Sequence, residues 1–114
     1  MDKFKLMHFG INAGSAEEAK KVANQLAVIF GFSTRETAIS TFSSEGIEVM
    51  NGNGPGKNGH FAIGTPDVKK AKEYLESKGV SFDESSAKYS ENGTLWLIYA
   101  SDEIAGFAWH LVKC

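Results

Sequence analysis

The chain has 114 residues, 42% hydrophobic and 23% charged, with 12 Lys plus Arg against 14 Asp plus Glu. That length and balance suit one globular domain with a real core and exclude disordered, collagen-like and coiled-coil chains. A formal net charge of −2 offers no basic excess for nucleic acid, no apolar run is long enough to span a membrane, and the start lacks the apolar core of a signal peptide. Cys114 is the only cysteine, so neither an intrachain disulfide nor a Cys-based zinc motif is available, and a reducing cytoplasm is the expected setting.

Leu6–Asn12 reads as a strand. Ser15 is placed to cap a helix over Ala16–Phe30, with Glu18 at the third position of a capping box and Gly31 as the stop. Ala19, Val22, Ala23, Leu26, Ala27 and Phe30 form its apolar stripe. Strands are predicted near Phe32–Glu36, Ala38–Ser43 and Gly46–Met50, the last two joined at Glu45-Gly46. Asn51–Asn58 holds three glycines and Pro55 and reads as a connector; it has no phosphate-loop pattern. The pattern then restarts. His60–Gly64 is a strand and Asp67–Ser77 a helix ended by Lys78-Gly79. Strands follow near Ser81–Tyr89, Thr94–Ala100 and Gly106–Val112, with Asn92-Gly93 as a hairpin signal.

The two stretches are alike. His8-Phe9-Gly10-Ile11 matches His60-Phe61-Ala62-Ile63, and Ala19-Lys20 matches Ala71-Lys72, at the same offset of 52 residues. The fold expected is α+β: two βαβββ modules, about 1–52 and 57–114, whose curved mixed sheet surrounds a metal-binding hollow. Neither module is large enough to stand alone, so the two should share one core.

All three histidines, His8, His60 and His110, fall on predicted strands, and the last strand of the first module offers Glu48. Alternate strand residues face opposite sides. The odd positions around these four, including Phe9, Ile47, Phe61, Phe107 and Trp109, are large and apolar; that face should carry the helices and the core. The even positions set the His and Glu side chains among Gly10, Ala62, Gly64, Gly106 and Ala108, which reads as a hollow. Polar groups there need a partner. Three imidazoles and a carboxylate suit Zn²⁺, Ni²⁺, Fe²⁺, Co²⁺ or Mn²⁺, with positions left open for water or substrate; a strand histidine taken singly is more often structural than a ligand. Trp96 and Tyr99 have opposite parity, so one should be core and the other line the hollow. Ser86, Lys88 and Ser90 share a face, either an exposed strand edge or a contact for a substrate anion through Lys88.

The paired βαβββ pattern, with Lys5-Leu6-Met7-His8, Gly46-Ile47-Glu48-Val49, Gly59-His60-Phe61-Ala62-Ile63 and Gly106-Phe107-Ala108-Trp109-His110-Leu111, resembles the vicinal-oxygen-chelate superfamily over essentially the whole chain. That superfamily includes glyoxalase I, methylmalonyl-CoA epimerase and the extradiol dioxygenases. The resemblance implies metal ligands at His8, Glu48, His60 and His110, with Glu48 also the candidate base. His110 stands where most relatives carry a Glu that often moves the proton. A narrower resemblance, carried by Ser86-Ala87-Lys88-Tyr89, Ile98-Tyr99 and Glu103-Ile104-Ala105-Gly106-Phe107, is to the small glyoxalase-like domain found after some bacterial 4-hydroxy-2-oxoglutarate / 2-dehydro-3-deoxyphosphogluconate aldolases. These resemblances imply a lyase or isomerase acting on a small 2-oxo or 2-hydroxy compound, or a non-catalytic binding or accessory domain for an oxo-acid or sugar-acid, with a homodimer and an aldolase as partners.

Overall fold

A computed structural model describes residues 3–114. The first half comprises β1 (Lys5–Asn12), α1 (Ala16–Phe30), β2 (Thr34–Glu36), β3 (Ser40–Ser43) and β4 (Ile47–Met50). The second comprises β5 (Gly59–Thr65), α2 (Val68–Glu76), a 3₁₀ turn at Glu84–Ser86, β6 (Lys88–Tyr89), β7 (Leu95–Tyr99) and β8 (Phe107–Lys113). All eight strands form one mixed sheet in the order β2-β3-β4-β1-β5-β8-β7-β6. Each half pairs its first and last strands in parallel across the helix, β1 with β4 and β5 with β8. The halves meet through the antiparallel pair β1–β5, so the strand order reads the same from either side of that junction.

The helix ends follow their sequence signals. Ser15 Oγ accepts the Glu18 N–H, and Gly31, left-handed at φ 74°, donates its N–H to the Ala27 carbonyl. The Glu18 carboxylate points to Lys21 rather than completing the capping box. Asp67 caps α2 by accepting the Lys70 N–H. Gly93 closes the hairpin turn by donating to the Ser90 carbonyl.

The core differs from expectation. Ala19 and Ala23 of α1 pack on Val49, while Val68 and Ala71 of α2 pack on Phe82, Ile98, Trp109 and Leu111. These are two apolar clusters rather than one, because each helix stands over the outer strands of its own half. The middle of the odd face is left uncovered. Phe9, expected in the core, is 38% exposed and leans on Phe107; Phe30, at the end of the α1 stripe, is 61% exposed against Phe32.

Three predicted strands are shorter than read. Ser81–Tyr89 is mostly not strand: Phe82 makes a lone bridge to Ala100, and the Asp83 side chain then accepts from the Ser85 N–H and hydroxyl, turning the chain into the 3₁₀ turn. Side-chain bonding of this kind competes with the ladder. β2 starts only at Thr34. β3 starts at Ser40 because Thr37 closes a turn, donating its N–H to the Ser40 carbonyl and accepting the Ile39 and Ser40 N–H groups at Oγ1.

Candidate metal centre

The register places the predicted ligands side by side. Glu48 lies opposite Gly10, Gly10 opposite His60, His8 opposite Ala62, and Ala62 opposite His110. From His8 onward the even-numbered residues of β1 therefore share one face with those of β4, β5 and β8, and the slip between Leu6 and His8 ends that alternation at the start of β1. Phe42 lies opposite Glu48 and Tyr99 opposite His110, so an aromatic flanks the group on each side.

The side chains converge. Glu48 Oε1 is 3.4 Å from His8 Nε2 and 3.3 Å from His60 Nε2, and the two Nε2 atoms are 3.3 Å apart. His110 joins them, with one ring nitrogen from each histidine inside a 4.8 Å group. Its Nδ1 lies 3.3 Å from the Leu111 carbonyl, which fixes Nδ1 as donor and leaves Nε2 bare. The Ser40 hydroxyl donates to Glu48 Oε2 at 2.7 Å.

This geometry fits a divalent ion. Metal–imidazole bonds of about 2.0–2.1 Å imply donor–donor edges of about 3.0–3.4 Å, the lower figure for an octahedral ion with positions to spare and the upper for a tetrahedral one. The triangle formed by His8, His60 and Glu48 has edges of that length, and its two imidazole nitrogens and carboxylate oxygen need a proton or a cation among them. One feature opposes binding: His60 Nδ1 is buried with no partner, so ligation through Nε2 leaves an N–H there without an acceptor.

Electrostatics favour the ligating forms. Burial lowers the His110 imidazole to about 4, against the partial help of the Leu111 carbonyl. Burial also lowers His8, with Glu48 pulling the other way. Burial works to raise Glu48, but hydrogen bonds from His60 and Ser40 and the nearby imidazoles together hold it below the usual carboxylate range. His8 and His110 are thus kept neutral beside an ionised carboxylate, the states a cation requires.

The small residues behave differently from expectation. A Cβ at Gly10 would fall 2.1 Å from the His60 ring, so the space freed by glycine is filled by that imidazole rather than left hollow. Tyr99 is the aromatic that lines the site, its ring 4.8 Å from that of His110; burial, then the Glu48 charge, push its hydroxyl up to about 12. Trp96 is not the core partner expected: it is 36% exposed on the other side of β7. Lys88 lies on exposed edge strand β6 with its ammonium over the Trp96 ring, apart from the cluster. Ser40 and Thr37 were not predicted. A signal existed for Ser40: the Glu45-Gly46 turn pairs Phe42 with Glu48 and so sets Ser40 diagonally beside the carboxylate.

No family model and no curated protein matches the sequence. Solved structures do match. Methylmalonyl-CoA epimerase from Mycobacterium tuberculosis superposes with a TM-score of 0.68 at 15% identity, covering 95% of this chain and 86% of that one. The Streptomyces coelicolor epimerase in complex with 2-nitronate-propionyl-CoA gives 0.64 at 16%, covering 96% of each chain. A hypothetical protein from Bacillus halodurans gives 0.67 at 16%, covering 98% and 95%. At such identities the likeness establishes the fold alone: an α+β, glyoxalase-like arrangement of two βαβββ halves.

Proposed function

We propose that this is a divalent-metal-binding, glyoxalase-like lyase or isomerase acting on a small 2-oxo or 2-hydroxy compound. The observation that carries the reading is the meeting of Glu48 Oε1 with the Nε2 atoms of His8 and His60 at 3.3–3.4 Å, with His110 beside them. The isomerase class draws support from the methylmalonyl-CoA epimerases that share the fold. His8, Glu48, His60 and His110 hold the ion, which is Zn²⁺, Ni²⁺, Fe²⁺, Co²⁺ or Mn²⁺. Such an ion would supply Lewis acidity, which acidifies the C–H beside a carbonyl that it polarises. Glu48 is the carboxylate that touches the histidines, and the base role falls to it. Tyr99 offers a neutral hydroxyl at the rim. Lys88 lies on edge strand β6, two strands from His110, with its ammonium over Trp96 on the other side of β7, so a role for it in holding a substrate anion rests on the sequence alone. The assembly is a homodimer in the cytoplasm.

One observation favours a second reading. Both Glu48 oxygens are engaged and its pKa is lowered, which makes it a weak base at rest. A non-catalytic binding or accessory domain for an oxo-acid or sugar-acid needs no base. The aldolase association belongs to this reading and rests on the sequence segments alone.

Metal analysis of tag-free protein beside His60→Ala decides first. About one transition-metal ion per chain, lost in the variant, supports the centre; turnover of a 2-oxo compound then separates enzyme from binding domain. No metal after soaking in Ni²⁺, Zn²⁺, Mn²⁺ and Fe²⁺ sinks the metal reading.

A further inference from the structure

Ser40 is 1% exposed and carries one hydroxyl proton. Its Oγ lies 2.7 Å from Glu48 Oε2 and 2.8 Å from Thr37 Oγ1. An ionised carboxylate only accepts, so the Ser40 proton goes to Glu48. The contact with Thr37 then runs the other way: Thr37 donates to Ser40 Oγ at 2.8 Å, the nearer of its two acceptors, the Ser40 carbonyl lying at 3.3 Å. Thr37 is itself fixed, because its Oγ1 accepts the Ile39 and Ser40 N–H groups at 3.2 and 3.0 Å. A directed chain results: the backbone of the β2–β3 turn holds Thr37, Thr37 donates to Ser40, and Ser40 donates to Oε2. The opposite oxygen, Oε1, is the one facing His8 and His60.

We propose that Ser40, oriented by Thr37, is a positioning residue that reserves Glu48 Oε2 for itself and so presents Oε1 alone to the histidines. The metal consequence rests on the function proposed above: Glu48 would offer an ion Oε1 alone, with Oε2 tied to Ser40. Ser40 touches neither ion nor substrate in this role. Outer hydrogen-bond partners of this kind typically alter metal affinity by about 10–100-fold.

The test uses full-length wild type, Ser40→Ala, Ser40→Thr and Thr37→Val, all checked for folding by thermal melt. Two quantities are read: Co²⁺ affinity by chelator competition with the visible absorption of the Co²⁺ form, and, without metal, the imidazole ¹⁵N shifts of His8 and His60. Ser40→Ala is expected to weaken Co²⁺ by about 10–100-fold, change the Co²⁺ absorption and move both histidines' shifts. Ser40→Thr, which keeps the hydroxyl, should restore all three, and Thr37→Val should fall between. A folded Ser40→Ala with wild-type affinity, absorption and shifts overturns the proposal, as does a Ser40→Thr that folds but fails to restore them. If Ser40→Ala does not fold, Thr37→Val decides: wild-type values overturn the proposal and partial changes in the same direction support it. If wild type takes up no Co²⁺, the functional reading fails, and the metal-free histidine shifts still judge Ser40 by the same criteria.

Discussion

Two positions beyond its strand histidine, the first half carries Gly10; at the same place the second half carries Ala62. The antiparallel β1–β5 pair sets Gly10 opposite His60 and Ala62 opposite His8. His60 therefore lies over a bare backbone, where a Cβ would overlap its ring, and its side chain is 3% exposed. His8 faces a residue that has a Cβ, cannot sink in the same way, and stays 19% exposed, on a strand whose register slips between Leu6 and His8. The same slots differ further out: Glu48 against His110, Phe42 against Tyr99. A repeated unit thus yields one clamped imidazole and one with room to move, from a single methyl group.

The largest effect should come from acid, which attacks the last strand of both halves. His110 titrates near 4 in the folded protein against an ordinary value of 6.5. The unfolded chain takes up that proton first, so stability is full above pH 6.5 and falls as pH drops through 4, by about 3 kcal/mol in all. His8, also lowered, acts in the same direction, and Glu48 adds to the loss below its usual range. Urea unfolding of metal-free protein at pH 7.5, 5.5 and 4.5 reads the slope; a flat profile would show that His110 is not desolvated as described. Gly10→Ala comes next, at about 1–3 kcal/mol from overpacking. It should expel the His60 ring and lower metal content, which a thermal melt and metal analysis record together. Ala62→Gly makes the halves alike and should cost about 0.5–1 kcal/mol, a few degrees of melting temperature, with metal retained. If it cost as much as Gly10→Ala, the asymmetry would lie elsewhere. Tyr99→Phe, which makes the flanking aromatics alike, should change stability by less than about 0.5 kcal/mol and leave metal content unchanged.

The shared face of His8, Glu48, His60 and His110 was legible because strand alternation and a 52-residue repeat are both arithmetic on the sequence. Which large residues would be covered was not. Parity assigns Phe9 and Trp109 to one side, yet only helix placement decides that Trp109 lies beneath α2 and Phe9 under neither helix. Asp83 and Thr37 misled the strand boundaries for one reason: a short polar side chain can bond its own backbone as well as the ladder can. Tyr99 and Trp96 could be divided only once the pairing of Ile98 with Leu111 fixed which face of β7 is which.

The antiparallel seam between β1 and β5 also bears on how the molecule forms. The hairpins β3–β4 and β6–β7 join neighbours in sequence, whereas His8 and His60 meet from 52 positions apart. Closing so long a loop is slower than pairing adjacent strands. The hairpins can thus form early, and the long-range pairs β1–β4, β5–β8 and β1–β5, which gather His8, Glu48, His60 and His110, close after them. A divalent ion added during refolding should hold the finished chain closed, slowing its unfolding while leaving the early, local phases untouched.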